Sequence, residues 1–211
     1  MTRIIKDYDV RKNEILDAAE ALFYSKGFEN CTVNDILKVV GIAKGTFYHY
    51  FTSKEAAMDG VIDRNVDNIV HRVQATLEKF RADPNEKLMH AFLAMRVDDH
   101  TAHHTLEDMH QPANALLHQK SLKQLIHSLA PILADVIQEG IDQQIWRCSQ
   151  PLQCMQIFLA AALSLTDEGI FEMDADSQML IMTALIGTLE KMLGVRENEF
   201  LKQYGAHWAT E

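Results

Sequence analysis

The chain has 211 residues, 47% of them hydrophobic, and a formal net charge of −10 at pH 7. This length is sufficient for a packed core, and the net acidity excludes a protein that is covered in basic surface. Ala, Leu, Met, Glu, Gln and Lys are frequent, whereas Gly and Pro are few. This composition predicts an all-α protein.

The acidity is unevenly distributed along the chain. Residues 1–54 carry a net charge of +1, and residues 55–211 carry −11. A polyanion would therefore be tolerated by the first quarter of the chain and repelled by the remainder.

The cysteines and the apolar segments indicate the cellular compartment in which the protein occurs. Cys31, Cys148 and Cys154 are odd in number and show no C-x-x-C spacing, which predicts neither a disulfide framework nor a zinc ribbon and fits a reducing compartment. The first residues are charged where a signal peptide needs an apolar run. The longest apolar runs are too short to span a bilayer. We therefore expect a soluble, cytoplasmic protein without a membrane partner.

Helix signals follow one another closely in the first third of the chain. An apolar stripe at helical spacing predicts a first helix that ends at Gly27. Thr32, followed three residues later by Asp35, predicts the start of a second helix over 33–40, which Gly41 would end. A third helix should begin at about Ala43 and end near Tyr50.

The remaining helices are longer. The T-x-x-E sequence at 52–55 predicts a capping box that opens a helix reaching Asp83-Pro84. A helix from Asn85 to about His100 should follow, with a break at Gln111-Pro112. Residues 113–141 predict one helix or two, because Pro131 interrupts the pattern. After a connector, helices are expected at about 151–168 and 176–193, followed by a polar tail.

The two short helices around Gly41 are a helix-turn-helix candidate. Phe47 and Phe51 can hold them against the first helix, which leaves the polar side chains of the third helix outside. Lys and His can reach phosphates or guanine acceptors, Thr can contact a base edge, and Tyr can donate to phosphate. The outward set is Lys44, Thr46, Tyr48, His49 and Tyr50, with Gly45 allowing close approach and Lys54 adding a positive charge. A plain surface helix of a bundle is the alternative, since exposed Lys and Tyr are common.

The segment "TVNDILKVVGIAKGTFYHYFTSKEAAM", residues 32–58, resembles the DNA-binding domain of TetR-family transcriptional repressors, over about residues 9–60. The resemblance implies that Thr32 and Val33 approach the DNA backbone and that Lys44, Gly45 and Thr46 lie nearest the base edges. It also implies that Tyr48, His49 and Lys54 contact phosphates, with Tyr50 as a further candidate. One departure is Ala43, where the family often has Ser or Thr, a loss of helix capping that costs about 1 kcal/mol in general.

The order of the predicted elements divides the chain into an N-terminal helix-turn-helix unit at 1–54 and a larger helical bundle at 55–211, joined by a long helix. The resemblance implies that the first part binds DNA and that the second binds a ligand and forms the dimer. The long helix should be the only continuous connection between them. The segments at 152–166 and 177–193 are apolar on more than one face and carry small residues, which predicts that they form the homodimer interface. Leu185 is expected on the buried dimer face. An internal core without a partner is the alternative.

In this family the implied function is a repressor that binds a palindromic operator in double-stranded DNA and is released by a small-molecule inducer. Met and aromatic side chains suit an adaptable apolar pocket, so we expect a lipophilic or aromatic inducer. The candidate pocket residues are Met89, Phe92, Met95, Met109 and Trp146. Ordinary core packing is the alternative for each of them.

A His-rich stretch offers a competing interpretation. It contains His100, His103, His104, Glu107, Asp108 and His110. Pairs spaced by four residues could share a helix face, so a metal-sensing or haem-sensing site, or a helical metal-dependent hydrolase, is conceivable, with solvated histidines as the simpler explanation. G-x-S-x-G, H-E-x-x-H and Gly-rich phosphate loops are absent from the sequence. We therefore expect no enzyme activity, no cofactor and no metal.

Overall fold

A computed structural model of the protein describes residues 8–80, 83–95, 110–167 and 169–202. Within these ranges every regular element is helical, as the composition predicts. In chain order the helices are α1 (Tyr8–Lys26), α2 (Val33–Val40), α3 (Lys44–Tyr50), α4 (Lys54–Lys79), α5 (Pro84–Met95), a 3-10 helix (Pro112–Asn114), α6 (Ala115–Asp142), α7 (Pro151–Leu165) and α8 (Ala175–Leu193).

The caps predicted for α2 are present. The Thr32 hydroxyl accepts a hydrogen bond from the Asp35 backbone N–H, and the Asp35 carboxylate accepts one from the Thr32 backbone N–H. Gly41 ends the helix in the left-handed conformation, with φ of 71°, which costs glycine little. The bounds of α2 therefore follow from the local sequence, whereas the N-cap of α3, Ala43, makes no side-chain capping bond.

The cap of α4 lies one residue later than the T-x-x-E pattern predicts. Ser53, and not Thr52, accepts the hydrogen bond from the Ala56 backbone N–H, at 3.1 Å. Glu55 accepts hydrogen bonds from its own N–H and from Ser53, which lower the pKa of its carboxyl. Two adjacent hydroxyl residues made the pattern ambiguous by one position.

The chain forms two compact units. One contains the described residues within 1–66 and 99–121, and the other contains those within 67–98 and 122–211. Helices α4 and α6 both run from one unit into the other, so the expectation of a single continuous connection is wrong. Helix α6 continues through Pro131. The domain boundary placed after residue 54 stays a prediction.

The first unit is built on close packing of α1 with α2 and α4. Ile15 and Phe23 of α1, Ile36 of α2 and Phe47 of α3 are all completely buried. Arg64 on α4 joins two carboxylates of α1, at 2.6 Å each. These contacts fix the helix-turn-helix on the first helix, as the sequence analysis expected.

The second unit has its own core, formed by side chains of α4, α5, α6, α7 and α8. The segment after α8 is part of this core, and the expectation of a polar tail is wrong for residues 195–202. Phe200 is 1% exposed, and its backbone N–H donates to the buried carboxylate of Glu190 at 2.7 Å. The charged residues around Phe200 concealed this anchor in the sequence. None of the described helices is both long and apolar enough to cross a membrane.

Candidate functional site

Helix α3 presents a polar surface because one buried aromatic residue orients it. Phe47 is completely buried, so its neighbours in the helix face outward. Lys44, Gly45, Tyr48 and His49 are exposed, while Thr46 and Tyr50 are half-buried. The predicted candidates on α3 therefore lie together on one short helix, with hydrogen-bond donors available to a nucleic acid.

Aromatic contacts support the end of α3. The Tyr8 ring lies 4.7 Å from the Tyr50 ring and 6.0 Å from the His49 ring, measured between centroids. The Lys44 ammonium lies 5.8 Å from the centre of the Tyr48 ring. Sequence reasoning missed Tyr8, because its partners are distant in the chain and no local pattern marks the contact.

The start of α2 is held by a charged cluster. The Asp35 carboxylate accepts hydrogen bonds from the Lys26 ammonium at 2.7 Å and from the Thr32 hydroxyl at 2.8 Å. These bonds, that from Lys26 first, hold the pKa of Asp35 well below its ordinary value. Thr32 is exposed and Val33 is half-buried, so both are placed at the first turn of α2, where the sequence analysis expected them.

Lys54, predicted as a phosphate contact, is bonded within the protein. Its ammonium donates to the backbone carbonyls of Phe28 at 2.7 Å and Cys31 at 2.9 Å. It also lies 4.1 Å from the centre of the Phe28 ring. An ammonium has three N–H donors, and two of these are used to fasten the start of α4 to the loop between α1 and α2.

The same loop has a second attachment, which the sequence analysis did not foresee. The Phe28 backbone N–H donates to the side-chain oxygen of Asn114 at 2.7 Å, and the Glu29 N–H donates to the Ala113 carbonyl at 3.1 Å. Asn114 is completely buried. The loop between α1 and α2 is therefore bonded both to Lys54 at the start of α4 and to the 3-10 helix before α6.

Most of the predicted ligand residues belong to the core of the second unit. Met89, Phe92 and Trp146 are buried, and Met95 is partly buried against the same cluster. Met109 lies outside the described residues. The structure thus brings four of the five candidates into one apolar cluster.

An open cavity of about 620 Å³ lies beside this cluster, with Trp146 in its wall. The Trp146 ring covers Gly140, where an added Cβ would come within 2.2 Å of a ring carbon. The indole N–H donates to the Asn85 side chain at 3.2 Å. The cavity is lined by Ile141, Gln144, Trp146, Arg147, Cys148 and Ser149. Of these, only Trp146 was expected from the sequence.

The His-rich stretch falls almost entirely outside the described residues. This applies to His100, His103, His104, Glu107 and Asp108, and only His110 is described. A metal or haem site at this stretch stays an untested alternative.

Two family profiles match the chain. Residues 15–58 match the profile of bacterial regulatory proteins of the tetR family, and residues 99–188 match that of the tetracyclin repressor-like C-terminal domain. Together they account for more than half of the chain. The first match contains the helix-turn-helix and the second contains much of α6, α7 and α8.

Curated relatives and solved structures agree with this assignment. The transcriptional repressor KstR2 of Mycobacterium tuberculosis is 33% identical over 94 residues, which is 44% of this chain and 46% of that protein. An uncharacterized regulator of Lactococcus lactis is 46% identical over 61 residues, 28% of this chain and 31% of the relative. The chain therefore spans less than half the length of these relatives.

The fold is shared with proteins of lower identity. RolR in complex with resorcinol has a TM-score of 0.60 at 17% identity, covering 89% of each chain. The fatty acid degradation regulator FadR of Bacillus halodurans has a TM-score of 0.59 at 18% identity, covering 91% of this chain and all of the other. Members of the matched family are DNA-binding regulators and not enzymes. The chain belongs to the TetR family of DNA-binding transcriptional regulators.

Proposed function

We propose that the protein is a repressor that binds a palindromic operator as a homodimer and releases it when a lipophilic or aromatic small molecule binds. The observation that carries the proposal is the polar surface of α3, oriented by buried Phe47, in a chain of the TetR family. Its KstR2 relatives are described as transcriptional repressors.

In the proposed complex, Lys44, Gly45 and Thr46 read base edges at the start of α3. Tyr48 and His49, both exposed, contact phosphates, and Tyr50, which is half-buried on the same helix, is a further candidate. Thr32 and Val33 approach the backbone at the first turn of α2. Lys54 contacts a phosphate through its third N–H, because the other two donate to the carbonyls of Phe28 and Cys31.

An exposed apolar surface supports a homodimer. Ile157 on α7 is 58% exposed, and Met179 and Leu180 on α8 are 47% and 70% exposed. Gly187, also on α8, has no atom within 4 Å of the position of an added Cβ. Exposed apolar surface on a soluble protein marks a protein–protein interaction site. Leu185 is 7% exposed and packs in the core of its own unit. It therefore does not lie on an exposed dimer face, as was expected from the sequence, and its substitution would not test the interface.

The cavity beside Trp146 supports a small-molecule ligand. It is open to solvent and is lined by both polar and apolar side chains, which suits a small ligand that combines an aromatic ring with polar groups. The structural neighbour RolR has been solved with resorcinol, an aromatic diol. Met89, Phe92 and Met95 belong to the same apolar cluster as Trp146 but do not line the cavity, and Met109 stays a prediction from the sequence.

The DNA-binding proposal is tested by footprinting the region upstream of the protein's own gene, followed by binding measurements over a salt series. Tyr48→Ala should weaken binding to all sites alike and leave the salt dependence unchanged, because Tyr48 is uncharged, whereas Lys44→Ala should also relax sequence preference. Lys123→Ala is the control, because Lys123 is exposed on α6 in the other unit. Binding by Tyr48→Ala that equals wild type would contradict the proposal.

The dimer is tested by sedimentation of Leu180→Arg. The charge should give monomers that keep their helix content and lose operator binding, because each half-site alone binds weakly. Leu116→Arg is the matched control, since Leu116 is 43% exposed on α6. A Leu180→Arg protein that sediments as a dimer would place the interface elsewhere.

The ligand is tested by titrating resorcinol and longer-chain phenols against the operator complex. The variant Trp208→Phe leaves Trp146 as the only tryptophan, so its fluorescence reports on the cavity alone. Binding that changes this fluorescence but leaves operator affinity unchanged would refute induction.

A further inference from the structure

We propose that Cys148 and Cys154 form a dithiol site, which hydroperoxides convert into an intramolecular disulfide. Cys148 lies in the connector after α6, and Cys154 lies in the first turns of α7. The Cys148 thiol donates to the Cys154 sulfur, and the two sulfurs are 3.1 Å apart. All three cysteines of the chain are free thiols.

The geometry requires little movement to form the bond. A disulfide is about 2.05 Å long, so the sulfurs need to approach by only about 1 Å. The two residues that precede Cys148 are both held in place. Trp146 packs on Gly140, and the Arg147 backbone N–H donates to the Leu193 carbonyl at 2.8 Å.

Cys148 is the sulfur that the oxidant reaches first. It lines the open cavity of about 620 Å³, whereas Cys154 is absent from the cavity wall. A hydroperoxide is small and uncharged, so it can enter a cavity of this size. Both thiols are half-buried, which leaves room for reaction without unfolding.

The reaction proceeds in two balanced steps. The Cys148 sulfur attacks a peroxide oxygen, the O–O bond breaks, and water or an alcohol leaves, so the sulfur becomes a sulfenic acid while the peroxide is reduced. The Cys154 sulfur then attacks the Cys148 sulfur, the S–O bond breaks, and water leaves with the Cys154 proton. The product is one disulfide, and a dithiol reductant reverses it.

The disulfide would fasten one wall of the cavity to α7. The connector that carries Cys148 also carries Trp146 and Arg147, which line the same cavity. Oxidation should therefore alter the environment of Trp146. This consequence depends only on the second unit and not on the proposed DNA binding or induction.

The third cysteine provides a matched control. Cys31 is 1% exposed in the other unit, and its thiol lies 3.7 Å from the Thr32 carbonyl oxygen. It has neither a thiol partner nor a cavity among the contacts described for it. Burial raises the pKa of the Cys31 thiol, so it should stay reduced under the same treatment.

The test treats the full chain with an equimolar dose of hydrogen peroxide, without DNA or ligand, and counts thiols with N-ethylmaleimide in denaturant. Labelling should fall from three cysteines to one, and dithiothreitol should restore it. The tryptic peptide 148–191 contains both cysteines and no internal Lys or Arg. It should lose two hydrogens, which mass spectrometry separates from the oxygen gained by oxidised methionine.

Three variants decide the outcome. Cys31→Ser should still form the disulfide, with labelling falling from two cysteines to none. In the Cys148→Ser and Cys154→Ser variants, the peptide 148–191 should not lose two hydrogens. The Cys154→Ser variant should also accumulate a sulfenic acid at Cys148, which dimedone traps. The proposal is overturned if wild type keeps three labelled thiols, if Cys31→Ser prevents the reaction, or if the disulfide links two chains.

Discussion

Replacing Lys54 by Met should destabilise the first unit, because the ammonium fastens the start of α4 to the loop between α1 and α2. Its bonds to the Phe28 and Cys31 carbonyls measure 2.7 and 2.9 Å, and it lies 4.1 Å from the Phe28 ring centre. Met keeps the apolar stem but removes all three contacts.

The expected cost follows from these contacts. A hydrogen bond to a charged group contributes about 1.5–3 kcal/mol when buried, and a cation–π contact about 0.5–1 kcal/mol at exposed sites. Lys54 is half-buried, and water can replace part of the lost bonding. We therefore expect a loss of about 2 kcal/mol, which lowers the melting temperature by about 4–8 °C for a chain of this size.

The assay combines thermal unfolding with operator binding over a salt series. If the third N–H also contacts a phosphate, Lys54→Met should reduce the slope of log affinity against log salt by about 1.8, which is about 0.9 for each of the two subunits. Lys44→Met is the control, because Lys44 is exposed on α3 and its loss should change stability by less than about 0.5 kcal/mol. Unfolding of Lys54→Met at the wild-type temperature would refute the structural role, and an unchanged salt slope would refute the phosphate contact.

Three further substitutions test other parts of the structure. Asn114→Ala should cost about 1–3 kcal/mol in thermal unfolding, because it removes the acceptor of a buried Phe28 N–H; an unchanged melting temperature would contradict this. Gly140→Ala should displace the Trp146 ring and alter the near-ultraviolet circular dichroism, whereas Gly187→Ala, with open space at its Cβ, should not. Asp35→Asn should be less stable than wild type at pH 7. Because folding lowers the pKa of Asp35, the difference in free energy of unfolding should shrink as the pH falls below about 4, the ordinary pKa of Asp, and should vanish below the pKa of Asp35 in the folded state. A difference that persists in acid would exclude the Asp35 charge as its cause.

The oxidation of the dithiol site should also depend on pH. Burial and the neighbouring Cys148 thiol raise the pKa of Cys154 to about 11, so this thiol is protonated at neutral pH. Its thiolate fraction, and with it the rate of the second step, should rise about tenfold per pH unit between pH 7 and 9. Stopped-time trapping of the disulfide measures this rate, and a pH-independent second step would show that the Cys154 thiolate is not the attacking group.

The sequence by itself determined the local features of this protein. The bounds of α2 follow from Thr32, Asp35 and Gly41, because capping bonds join residues within four positions of one another. The polar composition of α3 and its resemblance to the TetR family were also readable, since the motif is a continuous run. The local pattern predicted the wrong capping residue of α4, because Thr52 and Ser53 are adjacent and both can cap a helix.

Only the tertiary structure decided which distant residues meet. It placed Lys54 on the carbonyls of the loop after α1, Asn114 beneath the same loop, and Leu185 inside its own unit. It also brought the Cys148 and Cys154 sulfurs together, although their spacing matches no cysteine motif. Such contacts depend on how helices pack and on which face each one buries, and hydrophobic packing is not directional, so a one-dimensional pattern does not specify the partner.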